Sequence, residues 1–208
     1  MTGPVSPLLG ALPDSVEAGG VTIPIRTDFR CGIRFEELLF AKGIPDQTRV
    51  SLALGIWFET VPQVDMQALV DAMLGFYRCG KQPVSGGSTA QVYSYEHDYD
   101  LIFSGFMSAY RIDLMDPALS LHWWRFRALM WSLPDDSTFK TAVGWRSARP
   151  ESGMGKEAKA HMRKMQKAWA LPREHASTRF SDEADFKAWL TDRRRETELV
   201  GGGRDVTG

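Results

Sequence analysis

The sequence predicts a mainly α-helical protein, a single-domain helical bundle with a small β-hairpin near the N-terminus. Two observations predict this class. Apolar residues recur at spacings of three and four through most of the chain, as in VDMQALVDAMLGFYRCG (64–80), and this spacing is typical of amphipathic helices. One segment, SVEAGGVTIPI (15–25), favours a hairpin because two short β-compatible runs flank Gly19-Gly20. Paired glycines supply the positive φ that a tight turn needs.

The composition predicts an ordinary soluble protein. The 208 residues are 43% hydrophobic and 25% charged, which allows one sizeable core. The net charge of −1 gives no overall attraction to nucleic acid or to an anionic membrane. No apolar run approaches the ~18 residues of a membrane span. Cys31 and Cys79 lack a CxxC spacing, so we expect reduced thiols, and the N-terminus lacks the basic start of a signal peptide.

Turn and cap residues divide the N-terminal half into elements. We expect a flexible arm over residues 1–14 and a hairpin over 15–26, in which Pro24 restricts the second strand to an edge. Thr27 or Asp28 can cap the first helix. The elements predicted after the hairpin are a helix over 27–40 that ends near Gly43, helices over 47–60 and 64–80, and an exposed loop over 80–92.

The second half is predicted as a short strand followed by helices. Val92, Tyr93 and Tyr95 favour the strand, and the helical spacing begins near His97. Pro117 fits the first turn of the next helix. This helix is predicted to continue to Pro134 and to be followed by a short helix over 135–148, which Asp136 or Ser137 caps. An amphipathic helix over 157–171 then completes a helical domain of residues 15–172. We expect a C-terminal helical extension over 173–200, with its helix at 181–200, and a disordered tail over 201–208.

The stretch LHWWRFRALMWSL (121–133) is the richest in tryptophan. On a helix, Leu121, Trp124, Ala128 and Trp131 form one apolar stripe, and other apolar residues cover much of the remaining surface. A helix that is apolar nearly all round is typically buried. We therefore interpret it as a central helix, and His122 as a packed, hydrogen-bonded residue. An aromatic platform for single-stranded nucleic acid is the alternative.

The motifs of known active sites are incomplete in this sequence. SGMGKE (152–157) fails as a phosphate loop because Glu157 follows the Gly-Lys pair and Pro150 replaces the first glycine. Ser137 and Lys140 match S-x-x-K, but its S-D-N and K-T-G partners are missing. We therefore interpret Ser137 as a helix cap.

Titratable residues also fail to form a predicted site. Glu96 and Asp100 share a helical spacing, which we interpret as an acidic helix start, because no second pair completes an acid–base site. No cofactor, metal or catalytic residue is therefore expected. The four histidines are scattered without the spacing of metal ligands: His97, His122, His161 and His175.

The amphipathic helix over 157–171 has an apolar stripe and basic residues largely off it. The stripe consists of Ala158, Met162, Met165 and Trp169. The basic residues Lys156, Arg163, Lys164 and Lys167, with the run Arg193–Arg195, are compatible with nucleic-acid contact. Nearby acids and the near-zero net charge favour a solvated face instead.

Four stretches form a series with a distinctive order and spacing: TDFRCGIRFEELL (27–39), HDYDLIFSGFMSAYRIDL (97–114), LHWWRFRALMWSLPDDSTFKTAVGWR (121–146) and KMQKAWALP (164–172). Together they resemble a family of small phage and prophage proteins named after gene product fifteen of a tailed phage. The resemblance covers about residues 15–172 and leaves 173–208 outside. The matching pieces are Asp28-Phe29-Arg30, the segment from Tyr110 to Leu114, that from Leu121 to Trp124, that from Leu133 to Asp136, Trp145-Arg146, and the lysine-rich helix over 156–171.

This resemblance implies a role in tail morphogenesis, because genes of the family typically sit just before the tape-measure gene. It implies a tail assembly chaperone in the cytoplasm of the bacterial host, which binds the tape-measure protein until tail-tube subunits replace it. Self-association into a homo-oligomer is a further expectation. The family assigns no catalytic residues. The alternatives are a structural tail or connector protein of the virion and a small helical nucleic-acid-binding protein.

A chaperone of this kind needs a surface that accepts amphipathic helices, and methionine-rich grooves do so. The partner-binding residues expected on this ground lie in one helix: Met162, Met165 and Trp169, with Lys164 and Lys167 beside them.

Overall fold

A computed structural model of the chain describes residues 8, 10–41, 43–82 and 91–172. These residues belong to two compact units. Unit 1 contains the described residues up to 82 together with 120–128, and unit 2 contains 91–119 and 129–172. The limits predicted for the arm, the domain and the extension remain predictions. The helix predicted over 181–200 and the tail over 201–208 lie outside the described residues.

Seven helices and one two-stranded sheet make up the regular structure of the described residues, as the sequence predicts for the class. The strands are β1 (Ser15–Ala18) and β2 (Val21–Pro24), and the helices are α1 (Phe29–Phe40), α2 (Asp46–Trp57), α3 (Met66–Tyr77), α4 (Tyr99–Tyr110), α5 (Trp123–Trp131), α6 (Thr138–Ser147) and α7 (Lys156–Ala168).

The hairpin forms where the glycine pair predicts it. β1 and β2 pair antiparallel, with Ser15 opposite Pro24 and Ala18 opposite Val21. Gly19 and Gly20 have φ values of +60° and +78°, a conformation that side chains with a Cβ rarely adopt and that tight hairpin turns require.

Two predicted caps are present. The Asp28 side chain accepts a hydrogen bond from the Arg30 N–H at the start of α1, and Ser137 does the same for the Lys140 N–H at the start of α6. Each satisfies one of the N–H groups that a helix start leaves without an intrahelical partner. The helix ends are less well predicted, since α2 stops at Trp57 and α3 at Tyr77.

Two predicted elements are wrong. Pro117 does not start a helix. The side chains of Asp113 and Asp116 each accept a hydrogen bond from the backbone N–H two residues later in the chain, and these bonds fold the segment into turns. Residues 92–95 form no strand, because residues 92–94 have no regular structure and a turn follows over 95–97, in which the Asp98 N–H donates to the Ser94 carbonyl.

The helix predicted from Pro117 begins only at Trp123. Just before it, the chain makes an isolated β-bridge between Asp28 and His122. The Phe29 N–H donates to the Leu121 carbonyl at 2.9 Å, and the Trp123 N–H donates to the Thr27 carbonyl at 2.7 Å. These backbone bonds fix the start of α5 beside the start of α1 within unit 1.

Side chains from other elements close the C-terminal ends of two helices of unit 1. The last carbonyls of a helix have no intrahelical partner, and neither α1 nor α2 has a basic residue in its last turn. Arg49 donates to the Ala41 carbonyl after α1 at 2.9 Å. Arg26 donates to the Gly55 and Phe58 carbonyls at the end of α2 at 2.9 and 2.8 Å. Both arginines therefore have a structural role, since each supplies hydrogen-bond donors to the end of a helix.

Candidate functional site

Helix α5 is buried on one face, and the prediction of burial nearly all round is wrong. The buried face carries Trp123, Phe126 and Met130, at spacings of three and four. Ala128 is exposed and Trp131 is 42% exposed, although the predicted stripe included both. The apolar residues alone allow several faces, so the neighbours that pack against α5 decide which face is buried.

The tryptophan pair of this stretch closes the C-terminal end of α3. The Trp124 Nε1–H donates to the Phe76 carbonyl at 2.8 Å, and the Trp123 Nε1–H donates to the Tyr77 carbonyl at 2.9 Å. Arg127 donates to the same Tyr77 carbonyl at 2.9 Å. A buried indole N–H needs a partner, and these carbonyls need donors. We call these three side chains and the two carbonyls the α3 cap.

Arg127 also contacts two aromatic rings, those of Tyr77 and Trp123. Its guanidinium lies 5.1 Å from the centre of the Tyr77 ring and 5.5 Å from that of Trp123, which are cation–π distances. A cation at the C-terminal end of a helix is also favoured by the helix dipole. Arg127 therefore contributes to folding in three ways, which accounts for an arginine in the tryptophan-rich stretch.

The hydroxyl of Tyr77 donates a hydrogen bond to Glu36 Oε1 at 2.9 Å. Glu36 is a buried carboxyl residue of unit 1. Burial raises the pKa of Tyr77, and the charge of Glu36 raises it further. The phenol therefore keeps its proton at neutral pH and is suited to hydrogen bonding, since its ordinary pKa is already about 10.

Gly32 of α1 makes room for the buried indole. A Cβ at this position would lie 2.1 Å from the nearest atom of the Trp123 ring, which is far inside van der Waals contact. The backbone of α1 thus approaches the indole so closely that only glycine fits. Sequence reasoning missed this role because Gly32 lies in an otherwise ordinary helical pattern.

His122 is hydrogen-bonded as predicted. Its Nδ1 accepts the Trp124 N–H at 3.0 Å, and its Nε2 lies 3.0 Å from the Pro13 carbonyl. Nδ1 must lack a proton to accept, so in the neutral ring Nε2 carries the proton and donates it to the Pro13 carbonyl. His122 thus caps the start of α5 and ties the chain before β1 to it.

Unit 2 contains a buried ion pair that the sequence reasoning missed. The two terminal nitrogens of Arg146 donate to Asp98 Oδ2 at 2.7 Å and Oδ1 at 2.9 Å. Arg146 also donates to the carbonyls of Val92 and Trp169. Asp98 is 1% exposed. We call these four residues the Arg146 cluster.

No local pattern indicates the Arg146 cluster, because Asp98 and Arg146 lie 48 residues apart. Sequence reasoning considered the neighbours of Asp98 instead, Glu96 and Asp100. The cluster joins the start of α4, the end of α6 and the residue after α7. Its donors and acceptors are paired with one another, so it is a structural site.

The residues of the incomplete motifs form no active site or metal site in the described part of the chain. Ser137 caps α6, and its hydroxyl bonds a backbone N–H. Among the described residues, no group of three or more His, Cys, Asp or Glu side chains could hold a metal ion. His175 lies outside the described residues.

The five expected partner-binding residues lie on and just after α7, with different exposures. Met162 is buried within unit 2, whereas Met165 and Trp169 are half-buried. Lys164 and Lys167 are exposed. Ala158, which the apolar stripe included, is exposed as well. The surface of α7 thus combines two half-buried apolar side chains with exposed cations.

The fold and these sites define a mainly helical protein whose most distinctive residues hold helix ends and cores together. A family model described as bacteriophage Gp15 protein matches residues 8–171. The chain belongs to this family, as its motifs predicted. Comparison with curated proteins and with solved structures found no match. Across the described part of the chain, every helix is too short or too polar to cross a bilayer.

Proposed function

We propose that the protein is a tail assembly chaperone, which binds the tape-measure protein of its phage before tail-tube subunits replace the chaperone. The observation that carries this proposal is membership of the bacteriophage Gp15 family over residues 8–171. The role acts through protein–protein contacts in the host cytoplasm and needs no catalytic residue or cofactor.

The surface of α7 supports a helical client. Met165 and Trp169 are half-buried, and the exposed Lys164 lies beside them. Methionine and tryptophan supply adaptable apolar contact area, and a lysine at the edge can pair with an acidic residue of a bound amphipathic helix. Met162, which is on the same helix, is buried and therefore belongs to the core rather than to this surface.

Co-expression with the tape-measure protein of the same phage tests the proposal. We expect the two proteins to co-purify and the soluble fraction of the tape-measure protein to rise. The variant Lys164→Glu/Met165→Gln should lose both effects, since it reverses a charge and makes the apolar surface polar. The matched control Lys81→Glu changes an exposed lysine of unit 1 and should keep both effects.

Absence of co-purification together with an unchanged soluble fraction would contradict the chaperone role. Mass spectrometry of purified particles separates it from the alternative of a virion component. A chaperone is absent from the finished particle, whereas a structural tail or connector protein is present in a fixed copy number.

A further inference from the structure

Unit 2 has a partly exposed group of aromatic rings at the end of α5. The centre of the Tyr93 ring lies 5.7 Å from that of Trp131 and 5.4 Å from that of Tyr95, and both pairs meet edge to face. Trp131 is 42% exposed, and the two tyrosines are half-buried. Partly exposed rings offer apolar contact area to a further layer of side chains. We call Tyr93, Tyr95 and Trp131 the aromatic surface.

Two exposed carboxylates flank the aromatic surface. Asp135 and Asp136 lie in the turn that joins Trp131 to α6, the helix that contains Phe139. The rings of Trp131 and Phe139 lie 5.7 and 6.1 Å from the ring of Tyr93, so this turn begins and ends beside the aromatic surface. Among the described residues, no ion pair involves either aspartate. A segment that binds here should therefore carry apolar side chains followed by a base.

The last described residues of the chain lie close to the aromatic surface. Arg146 donates both to the Val92 carbonyl and to the Trp169 carbonyl. Because one guanidinium is only a few ångströms wide, Trp169 must lie close to the residue that precedes Tyr93. The chain continues beyond residue 172, the last of this part that the structure describes. Its next residues therefore start within reach of the aromatic surface.

The helix predicted over 181–200 carries the pattern that this surface requires. Phe186, Trp189 and Leu190 recur at spacings of three and four, which places them on one side of a helix. Arg193 continues the same side, because it follows Trp189 by four residues and Leu190 by three. An apolar stripe that ends in a base thus corresponds to an aromatic surface that carboxylates flank.

We propose that the segment 181–195 packs against the aromatic surface of its own chain, with Arg193 and Arg194 paired to the two aspartates. The connection over 173–180 has a usual length for two packed helices. Such a tether gives the chain's own segment a high effective concentration, which favours it over the same segment of a second copy. The family match ends at residue 171, so this contact attaches an extension to the family domain. It is independent of the proposed function.

Hydrogen–deuterium exchange of the full chain, followed by mass spectrometry of peptic fragments, tests this inference. We expect the amides of 186–195 to exchange at least about tenfold more slowly than those of a synthetic peptide of the same sequence, because packing protects a helix that is marginal alone. Asp135→Lys/Asp136→Lys should abolish this protection. The control Asp46→Lys/Glu59→Lys makes the same charge change at exposed residues of unit 1 and should keep it.

Charge reversal on both sides of the contact gives the decisive result. Arg193→Glu/Arg194→Glu should also abolish the protection, and its combination with the aspartate reversal should restore it, because opposite charges again face one another. Trp131→Ser should reduce the protection without any change of charge, because it removes the most exposed ring. Unchanged exchange in α4 and α6 confirms that each variant is folded.

Exchange of 186–195 at the rate of the free peptide would overturn the inference. So would protection that survives either reversal, or a combined variant that stays unprotected. Protection that appears only as the protein concentration rises, together with a sedimentation mass above that of the monomer, would assign the contact to a second copy and would overturn the inference as well.

Discussion

The two units close their helix ends by different chemistry. In unit 1, the α3 cap brings two neutral indole N–H groups and the Arg127 guanidinium to the carbonyls of Phe76 and Tyr77. In unit 2, the Arg146 cluster collects two carbonyls and a buried carboxylate, that of Asp98, around one guanidinium. Both arrangements supply hydrogen-bond donors to backbone carbonyls that a helix end or loop leaves without a partner, but only the second also contains a buried ion pair.

The difference determines what fails when a part is removed. Removing a neutral indole from the α3 cap leaves a cavity and removes one hydrogen bond between neutral groups. The lost packing therefore dominates the loss of folding free energy. An arginine that is lost from the Arg146 cluster leaves a buried carboxylate without its counter-charge, so electrostatics dominates. Unit 1 is therefore expected to respond to changes of volume, and unit 2 to changes of charge.

The largest loss is expected from Trp123→Ala. Trp123 is 0% exposed, and replacing a buried tryptophan by alanine costs about 3–5 kcal/mol. Urea unfolding measures the change in free energy. The matched control is Trp131→Ala at the other end of α5, where the side chain is 42% exposed, and about 1 kcal/mol or less is expected there. Equal losses would show that α5 has no single buried face.

Arg146→Met should cost about 3–4 kcal/mol, because it leaves the Asp98 carboxylate buried and unpaired. The double variant Asp98→Leu/Arg146→Met removes both charges and should lose less than the single variant. Urea unfolding of both variants measures the difference. If the double variant loses as much as the single one, the lost carbonyl contacts matter more than the charge, and the contrast between the units disappears.

Gly32→Ala should destabilise unit 1 by about 1–3 kcal/mol, since the new methyl group overlaps the Trp123 ring and the core is already filled. The control is Gly55→Ala in α2, where a Cβ meets nothing within 4 Å. Alanine is the better helix former there, so the protein should gain about 0.5–1 kcal/mol. The two substitutions thus differ in sign, and a stabilised Gly32→Ala variant would contradict the close approach of α1 to the indole.

The smallest effect is expected from the raised pKa of Tyr77, which burial and then Glu36 cause. The native state holds the phenol proton more tightly than the unfolded state. This stabilisation is complete below the unfolded pKa near 10 and is lost as the pH rises above it. Between pH 8 and 10.5, the protein should lose up to about 0.8 kcal/mol more than Tyr77→Phe.

Urea unfolding of both proteins over this pH range measures the Tyr77 effect. Comparison with Tyr77→Phe removes the contribution of the other groups with a raised pKa, Cys79 and Tyr110. A parallel decline of both proteins would contradict the assignment to Tyr77.

Local features of the fold were predictable from the sequence. Asp28 and Ser137 could be identified as caps because a cap acts on N–H groups two or three residues away. The Gly19-Gly20 hairpin was predictable for the same reason, since a turn is decided by its own φ angles. The helix expected from Pro117 failed because Asp113 and Asp116 compete for nearby backbone N–H groups.

By itself, the sequence determined the helical class, the hairpin, the caps and the family, because periodicity, turn chemistry and motif order act over a few residues or are read directly. Only the tertiary structure decided which face of α5 is buried, where the indole N–H groups of Trp123 and Trp124 donate, and that Asp98 pairs with Arg146. These outcomes depend on groups that lie 46 to 48 residues apart, and packing alone brings such groups within hydrogen-bonding distance.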